Sequence, residues 1–143
     1  MHILLVEDNV HDVFFIKQAL KKLERPVEVS VVEDGEQALA FLFHREPYTE
    51  AGQPDIILLD INMPHKSGFE VLAALEQDPH LKFIPVVILT TRDRPNDIDR
   101  CYELGANAYL TKPVGLQNLF ALVKTIVDFW SGCTFRSRAR KQQ

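Results

Sequence analysis

Five short apolar runs, each followed by a helical pattern, constrain this chain more than any other feature. The runs are His2-Ile-Leu-Leu-Val6, Val27-Glu-Val-Ser-Val-Val32, Asp55-Ile-Ile-Leu-Leu59, Ile84-Pro-Val-Val-Ile-Leu89 and Ala106-Asn-Ala-Tyr-Leu110. Three are nearly continuous in Val, Ile and Leu, the composition of strands covered on both faces. The second alternates, which suits an outer strand. Between the runs, apolar residues recur at helical spacing. Val13, Ile16, Leu20 and Leu23 make one stripe; Ala38, Leu39, Leu42 and Phe43 make another after a capping turn at Asp34-Gly35. Phe69, Leu72, Ala73 and Leu75 follow Ser67-Gly68, and Pro95 opens a weaker helix that ends at Gly105. The last helix keeps one face through Leu116, Leu119, Phe120, Val123, Ile126, Val127 and Trp130. Strict alternation of five strand–helix units predicts an α/β fold with a parallel sheet, right-handed crossovers and helices on both faces. Such open sheets bind ligands beyond the carboxyl ends of their strands.

At 143 residues the chain suits one domain, expected over residues 1–130 with a basic extension at 131–143. Its 46% hydrophobic and 25% charged residues are ordinary for a globular protein, which excludes a collagen, a disulfide scaffold and a wholly disordered chain. The net charge of −4 hides an asymmetry. Arg136, Arg138, Arg140 and Lys141 close the chain without an acid among them, so residues 1–135 carry 12 basic and 20 acidic groups. An acidic body argues against nucleic acid as a main ligand, because phosphate contacts need clustered cations. Cys101 and Cys133 are 32 positions apart with no CxxC pair, which reads as free thiols in a reducing compartment. No signal peptide is visible and no stretch reaches the roughly 20 apolar residues a bilayer requires, so the expected setting is cytoplasmic, away from membranes.

The strand ends carry the chemistry. Glu7 and Asp8 follow the first strand, Asp60 ends the third and leads into Ile61-Asn62-Met63-Pro64, Thr90 and Thr91 end the fourth, and Thr111-Lys112-Pro113 follow the fifth. In a parallel sheet these three carboxylates, a hydroxyl and an ammonium converge on one edge. Crowded carboxylates repel by several kcal/mol per pair when partly desolvated, roughly 4 kcal/mol at 4 Å. A hard divalent cation relieves that repulsion, and oxygen ligands without Cys or His point to Mg²⁺ or Mn²⁺. The five histidines show no metal-ligand spacing. Metal, ammonium and hydroxyl together suit the oxygens of a phosphoryl group, and a central carboxylate can itself be the nucleophile.

Glu7-Asp8, Asp60 within Asp-Ile-Asn-Met-Pro, Thr90 and Lys112-Pro113 together resemble the signature of response-regulator receiver domains, the chemotaxis CheY type. The resemblance covers about residues 1–130 and implies a flavodoxin-like, doubly wound (βα)5 fold with strand order 2-1-3-4-5. It implies that Asp60 accepts a phosphoryl group from a histidine kinase or a His-phosphotransfer protein. Mg²⁺ would be held by Asp8, Asp60 and the backbone carbonyl of Asn62, with Glu7 acting through a water. Thr90 and Lys112 would bind phosphoryl oxygens, Tyr109 would be the switch aromatic, and Lys112–Pro113 would be cis. The long connection Arg45–Pro54 and the Asp128-Phe129-Trp130 end of the last helix resemble the single-domain regulators that partner cyanobacterial and other bacterial phytochromes. In that group receivers pair through the last strand, the last helix and the C-terminal extension.

Some positions depart from the family pattern. Glu7 replaces an Asp, Thr91 stands where a smaller residue is usual, and Arg92 sits where a cation could shield the phosphoryl group or pair with Asp93. Asp97 and Asp99 are expected to face water. Extra apolar surface at Phe129 suggests a subunit contact, and a homodimer is expected. Output would come from altered protein binding, since nothing beyond Trp130 is long enough for an output module. The alternative is a pseudo-receiver that pairs or binds partners without phosphate, against which the five matched groups argue. An aspartate-nucleophile phosphatase would need a second Asp where Asn62 stands, so an enzyme in that sense is not expected.

Overall fold

The computed structural model describes residues 1–63 and 66–133. The strands are β1 (His2–Val6), β2 (Glu28–Val32), β3 (Ile56–Leu59), β4 (Val86–Thr90) and β5 (Ala108–Thr111). They alternate with helices α1 (Val10–Lys21), α2 (Gly35–Leu42), α3 (Gly68–Gln77), α4 (Pro95–Glu103) and α5 (Leu116–Ser131). All pairings are parallel, in the order β2-β1-β3-β4-β5, as expected. The alternating run became an edge strand, β2, whose outward residues are only partly covered.

Side-chain alternation divides the core into two layers. Leu4, Val6, Ile57, Leu59 and Ile88 face α2, α3 and α4, packing with Leu39, Leu72 and Cys101. Ile3, Leu5, Leu58, Val87 and Leu89 face the other way, onto Ile16 and Leu20 of α1 and Val123, Ile126 and Val127 of α5. Each fully buried Leu, Ile or Val contributes about 1.5–3 kcal/mol, so continuous apolar strands make this sheet the rigid part of the molecule. The register places Val6 beside Leu59, Leu59 beside Ile88 and Ile88 beside Tyr109. The strand ends are therefore level, and whatever follows them shares one edge.

Helix starts follow local chemistry. The Asn9 side chain accepts the N–H groups of His11 and Asp12 at 3.0 and 3.1 Å, and Asp34 accepts that of Gln37 at 2.8 Å. Pro95 occupies the first turn of α4, and Gly105 closes that unit in the left-handed region at φ 101°. A short 3-10 turn at Leu81–Phe83, not expected from the sequence, leads into β4. Leu116 also differs: it belongs to the apolar stripe of α5 by spacing but is exposed, because the first turn of α5 overhangs the sheet edge. No helix among the described residues is long and apolar enough to cross a membrane. The Arg-rich extension, and with it Arg136, Arg138, Arg140 and Lys141, falls outside the described residues, as do Pro64 and His65.

Candidate functional site

Strand register delivers the acids to one place. Asp60 donates its N–H to the Val6 carbonyl at 3.1 Å, and Glu7 donates its own to Val32 at 3.0 Å. The ladder thus continues one residue past the strands and holds both backbones at the edge. Asp60 and Glu7 are buried, at 6% and 2% exposure, while Asp8 faces solvent. Carboxylate oxygens of Glu7, Asp8 and Asp60 all lie within 4.8 Å of one another. The donor set is purely oxygen, mixes buried and open positions, and carries more negative charge than its surroundings balance. It fits a hard divalent cation.

Asp60 is surrounded by donors. Its Oδ1 accepts the Thr90 hydroxyl at 2.8 Å and the Asn62 backbone N–H at 2.9 Å; its Oδ2 meets Lys112 Nζ at 3.0 Å. Thr90 is fully buried at the end of β4. Lys112 is steered back into the site by its own N–H, which bonds the Thr90 carbonyl at 2.8 Å. Its ammonium also reaches Glu7 Oε1 at 2.5 Å and Asp12 Oδ2 at 2.8 Å. Burial works against the charge on Lys112, yet the hydrogen bonds from Asp12 and Glu7 and the charge of Asp60 hold it above its ordinary value. One ammonium cannot balance three carboxylates. The proton stays on the most buried: burial, aided by the Asp60 charge and opposed by Lys112, pushes Glu7 from 4.5 up to about 7.

Glu7, Asp8, Asp60, Thr90 and Lys112 thus meet as the spacing predicts, and the Asn62 backbone borders them. Three expectations need correction. The Lys112–Pro113 peptide is trans; the cis proline bond is Glu46–Pro47 in the long connection after α2. Arg92 pairs with Asp97, through Nε at 3.2 Å and Nη2 at 2.9 Å, and not with Asp93. Asp97 is therefore drawn in against Arg92 from the first turn of α4 rather than left to water, while Asp99 is exposed as expected. Tyr109 is half-buried; its hydroxyl donates to the Arg92 carbonyl at 2.5 Å, and burial, with Cys101 and Asp97 adding, raises that phenol to about 12. Asp12 was missed. Its signal lies in the sequence, as an acid in the first turn of a helix that begins at the same sheet edge, but its partner is 100 residues away.

A five-stranded 2-1-3-4-5 sheet with this acid, hydroxyl and ammonium set defines a receiver. Comparison agrees: residues 3–124 match the response regulator receiver domain, and the chain belongs to that family. It is a two-component response regulator, homologous to Rcp1 and RcpA. Response regulator Rcp1 of Synechocystis sp. (strain ATCC 27184 / PCC 6803 / Kazusa) is 44% identical over 128 residues, which span 90% of this chain and 87% of that protein. The crystal structure of the phosphorylated cyanobacterial phytochrome response regulator RcpA superposes with a TM-score of 0.91 at 46% identity, covering 95% of this chain and 98% of RcpA. The Mn²⁺-bound form of Rcp1 gives 0.89 at 42%, covering 95% and 99%.

Proposed function

We propose that Asp60 is the phosphoacceptor of a phosphorelay, charged by a histidine kinase of the phytochrome type or by a His-phosphotransfer protein. The observation that carries this reading is the Asp60 carboxylate itself. It is buried beside an acidic cation site and already held by the two donors, Thr90 and Lys112, that a phosphoryl group would need. An Asp60 oxygen attacks phosphorus, the P–N bond of the phosphohistidine breaks, and its electron pair leaves on the imidazole nitrogen. Thr90 Oγ1–H and Lys112 Nζ–H then turn from the carboxylate to the phosphoryl oxygens. Mg²⁺, held by Asp8, Asp60 and the Asn62 carbonyl with Glu7 behind a water, supplies neutralisation of the charge on those oxygens. Catalysis is confined to the protein's own phosphorylation and hydrolysis.

The output is a change in protein binding. Tyr109 ties β5 to the segment after β4 through the Arg92 carbonyl, so a shift of Thr90 toward a phosphoryl group reaches β5 by a direct bond. Phe129, 62% exposed and packed edge-on against Trp130 at 5.1 Å, continues that face along α5. This supports a homodimer through β5, α5 and the extension 131–143. The partner class follows from RcpA, a phytochrome response regulator solved in its phosphorylated form.

Intact mass measured with acetyl phosphate and Mg²⁺, beside light scattering, tests the reading. One Mg²⁺-dependent phosphoryl adduct, lost in Asp60→Asn, is expected. Uptake by that variant would move the acceptor elsewhere, and no adduct on the wild type would leave the phosphate-independent reading.

A further inference from the structure

An ammonium has three N–H donors, and three carboxylates take those of Lys112: Glu7, Asp12 and Asp60, at 2.5, 2.8 and 3.0 Å. Glu7 and Asp60 belong, with Asp8, to the group whose oxygens lie within 4.8 Å of one another; Asp12 does not. A divalent cation and the ammonium therefore compete for the same two carboxylates, and Asp12 is the partner the cation leaves alone.

We propose that Asp12 is a positioning residue that tethers Lys112 from the side of α1, so that Glu7 and Asp60 can serve a metal ion while the ammonium keeps its place beside Asp60. The support of Asp12 is rigid. Asn9 accepts the Asp12 N–H at 3.1 Å, and the Asn9 N–H in turn donates to Glu7 Oε2 at 3.1 Å, which ties the first turn of α1 to the metal side of the cluster. The Asp12 side chain is 29% exposed against 2% for Glu7, so it stays hydrated while it holds the ammonium. A helix N-terminus also stabilises a carboxylate in that position. Without Asp12, the charge of Lys112 would press on the two carboxylates the metal requires.

The proposal rests on Asp60 as phosphoacceptor only for its kinetic consequence; its thermodynamic core concerns metal affinity. Calorimetric Mg²⁺ titration of the wild type, Asp12→Asn, Lys112→Met and the double variant tests it. Asp12→Asn is expected to weaken binding about tenfold, or about 1.4 kcal/mol. With Lys112→Met as background the same substitution should change affinity by no more than about twofold, because the residue acts through the lysine. Asp12→Glu should restore most of the affinity. Equal weakening in both backgrounds would mean that Asp12 adds only its charge to the field, and would overturn the tether, as would an unchanged affinity in Asp12→Asn. If circular dichroism shows Lys112→Met to be unfolded, Lys112→Gln supplies the uncharged background. At saturating Mg²⁺, phosphoryl uptake from acetyl phosphate should also slow in Asp12→Asn and recover in Asp12→Glu. A wild type that shows the affinity cycle but takes up no phosphoryl group would sink the phosphoacceptor reading and leave the tether standing; uptake without the cycle would sink the tether alone.

Discussion

Replacing Gly68 by alanine should damage the site from behind. Gly68 opens α3 against the backbone that follows the phosphoacceptor strand. A Cβ there would lie 2.6 Å from Ile61 Cα, 2.8 Å from Ile61 Cγ2 and 2.9 Å from the Asp60 carbonyl oxygen. Carbon atoms settle at about 3.5–4.0 Å, so α3 and the Asp60–Ile61 backbone must part by about 1 Å. Two effects oppose each other. Alanine in place of glycine stabilises a helix by about 0.5–1 kcal/mol, while overpacking costs about 1–3 kcal/mol. Two of the three close atoms belong to main chain and cannot rotate away, so the clash wins, with an expected loss of about 1–2 kcal/mol. For a chain of this size that lowers Tm by about 3–8 °C. The functional loss should be larger. Asp60 meets Thr90 at 2.8 Å and Lys112 at 3.0 Å, and about 1 Å of displacement takes both beyond useful hydrogen-bond range. Misplacement of a reacting group by that amount costs about 100-fold in rate. Urea unfolding and the rate of adduct formation from acetyl phosphate and Mg²⁺ measure the two effects. Gly132→Ala is the control: its Cβ would meet nothing nearer than 3.5 Å, and a change within about 0.5 kcal/mol is expected. A Gly68→Ala protein with an unchanged midpoint and uptake within about twofold of wild type would refute this account.

The raised carboxyl of Glu7 gives the metal-free protein a definite pH response. The folded state keeps a proton that the unfolded chain releases above 4.5, so the stability it contributes is full below that value and is lost as pH rises through about 7. Mg²⁺ must expel the same proton, and calorimetric affinity should climb between about pH 6 and pH 8, with proton release fading above that range; a flat profile would contradict the assignment. At position 90 the hydroxyl is the feature required: Thr90→Ser should keep most of the uptake rate, whereas Thr90→Val, which removes the donor to Asp60, should lose about tenfold or more. Cys101 is fully buried and burial pushes its thiol up to about 11, while Cys133 is partly open. A thiol reagent should therefore modify Cys133 in the native protein and Cys101 only after unfolding, as read by mass after digestion; rapid native labelling of Cys101 would show its layer of the core to be loose.

Much of this was legible because a parallel sheet turns sequence order into position. Val, Ile and Leu run without interruption through Ile56–Leu59 and Val86–Leu89, and only strands covered on both faces read that way. Once those runs are strands, Glu7, Asp60, Thr90 and Lys112 must share an edge. What stayed hidden depends on side chains crossing between elements. Asp12 looks like an ordinary first-turn acid until Lys112 folds back over it. Asp97 reads as a solvated helix-start acid until Arg92, five residues earlier, curls round to meet it. Leu116 fits the stripe of α5 but sits one turn beyond the sheet that would have covered it. The trans Lys112–Pro113 bond departs from an expectation that came from resemblance alone, with no local residue requiring it.

The balance of charge at the edge also decides which parts can respond. The carboxylates of Glu7 and Asp60 cannot draw apart to ease their repulsion, because the backbones behind them are bonded into the ladder at Val32 and Val6. Relief must come from what is mobile around them: a proton on Glu7, the ammonium of Lys112 or a cation. Adding a phosphoryl group to Asp60 would place new acceptor oxygens where only two side-chain donors, Thr90 and Lys112, now stand. Thr90 ends a central strand and Lys112 follows an edge strand, so the strand interiors stay fixed and movement passes to the segments beyond them. Those segments are already joined by the Tyr109–Arg92 bond and by Arg92 to Asp97 of α4. On the proposed reading the rigid sheet is what forces a change at Asp60 outward, toward α4 and the open edge of β5, where a partner can sense it.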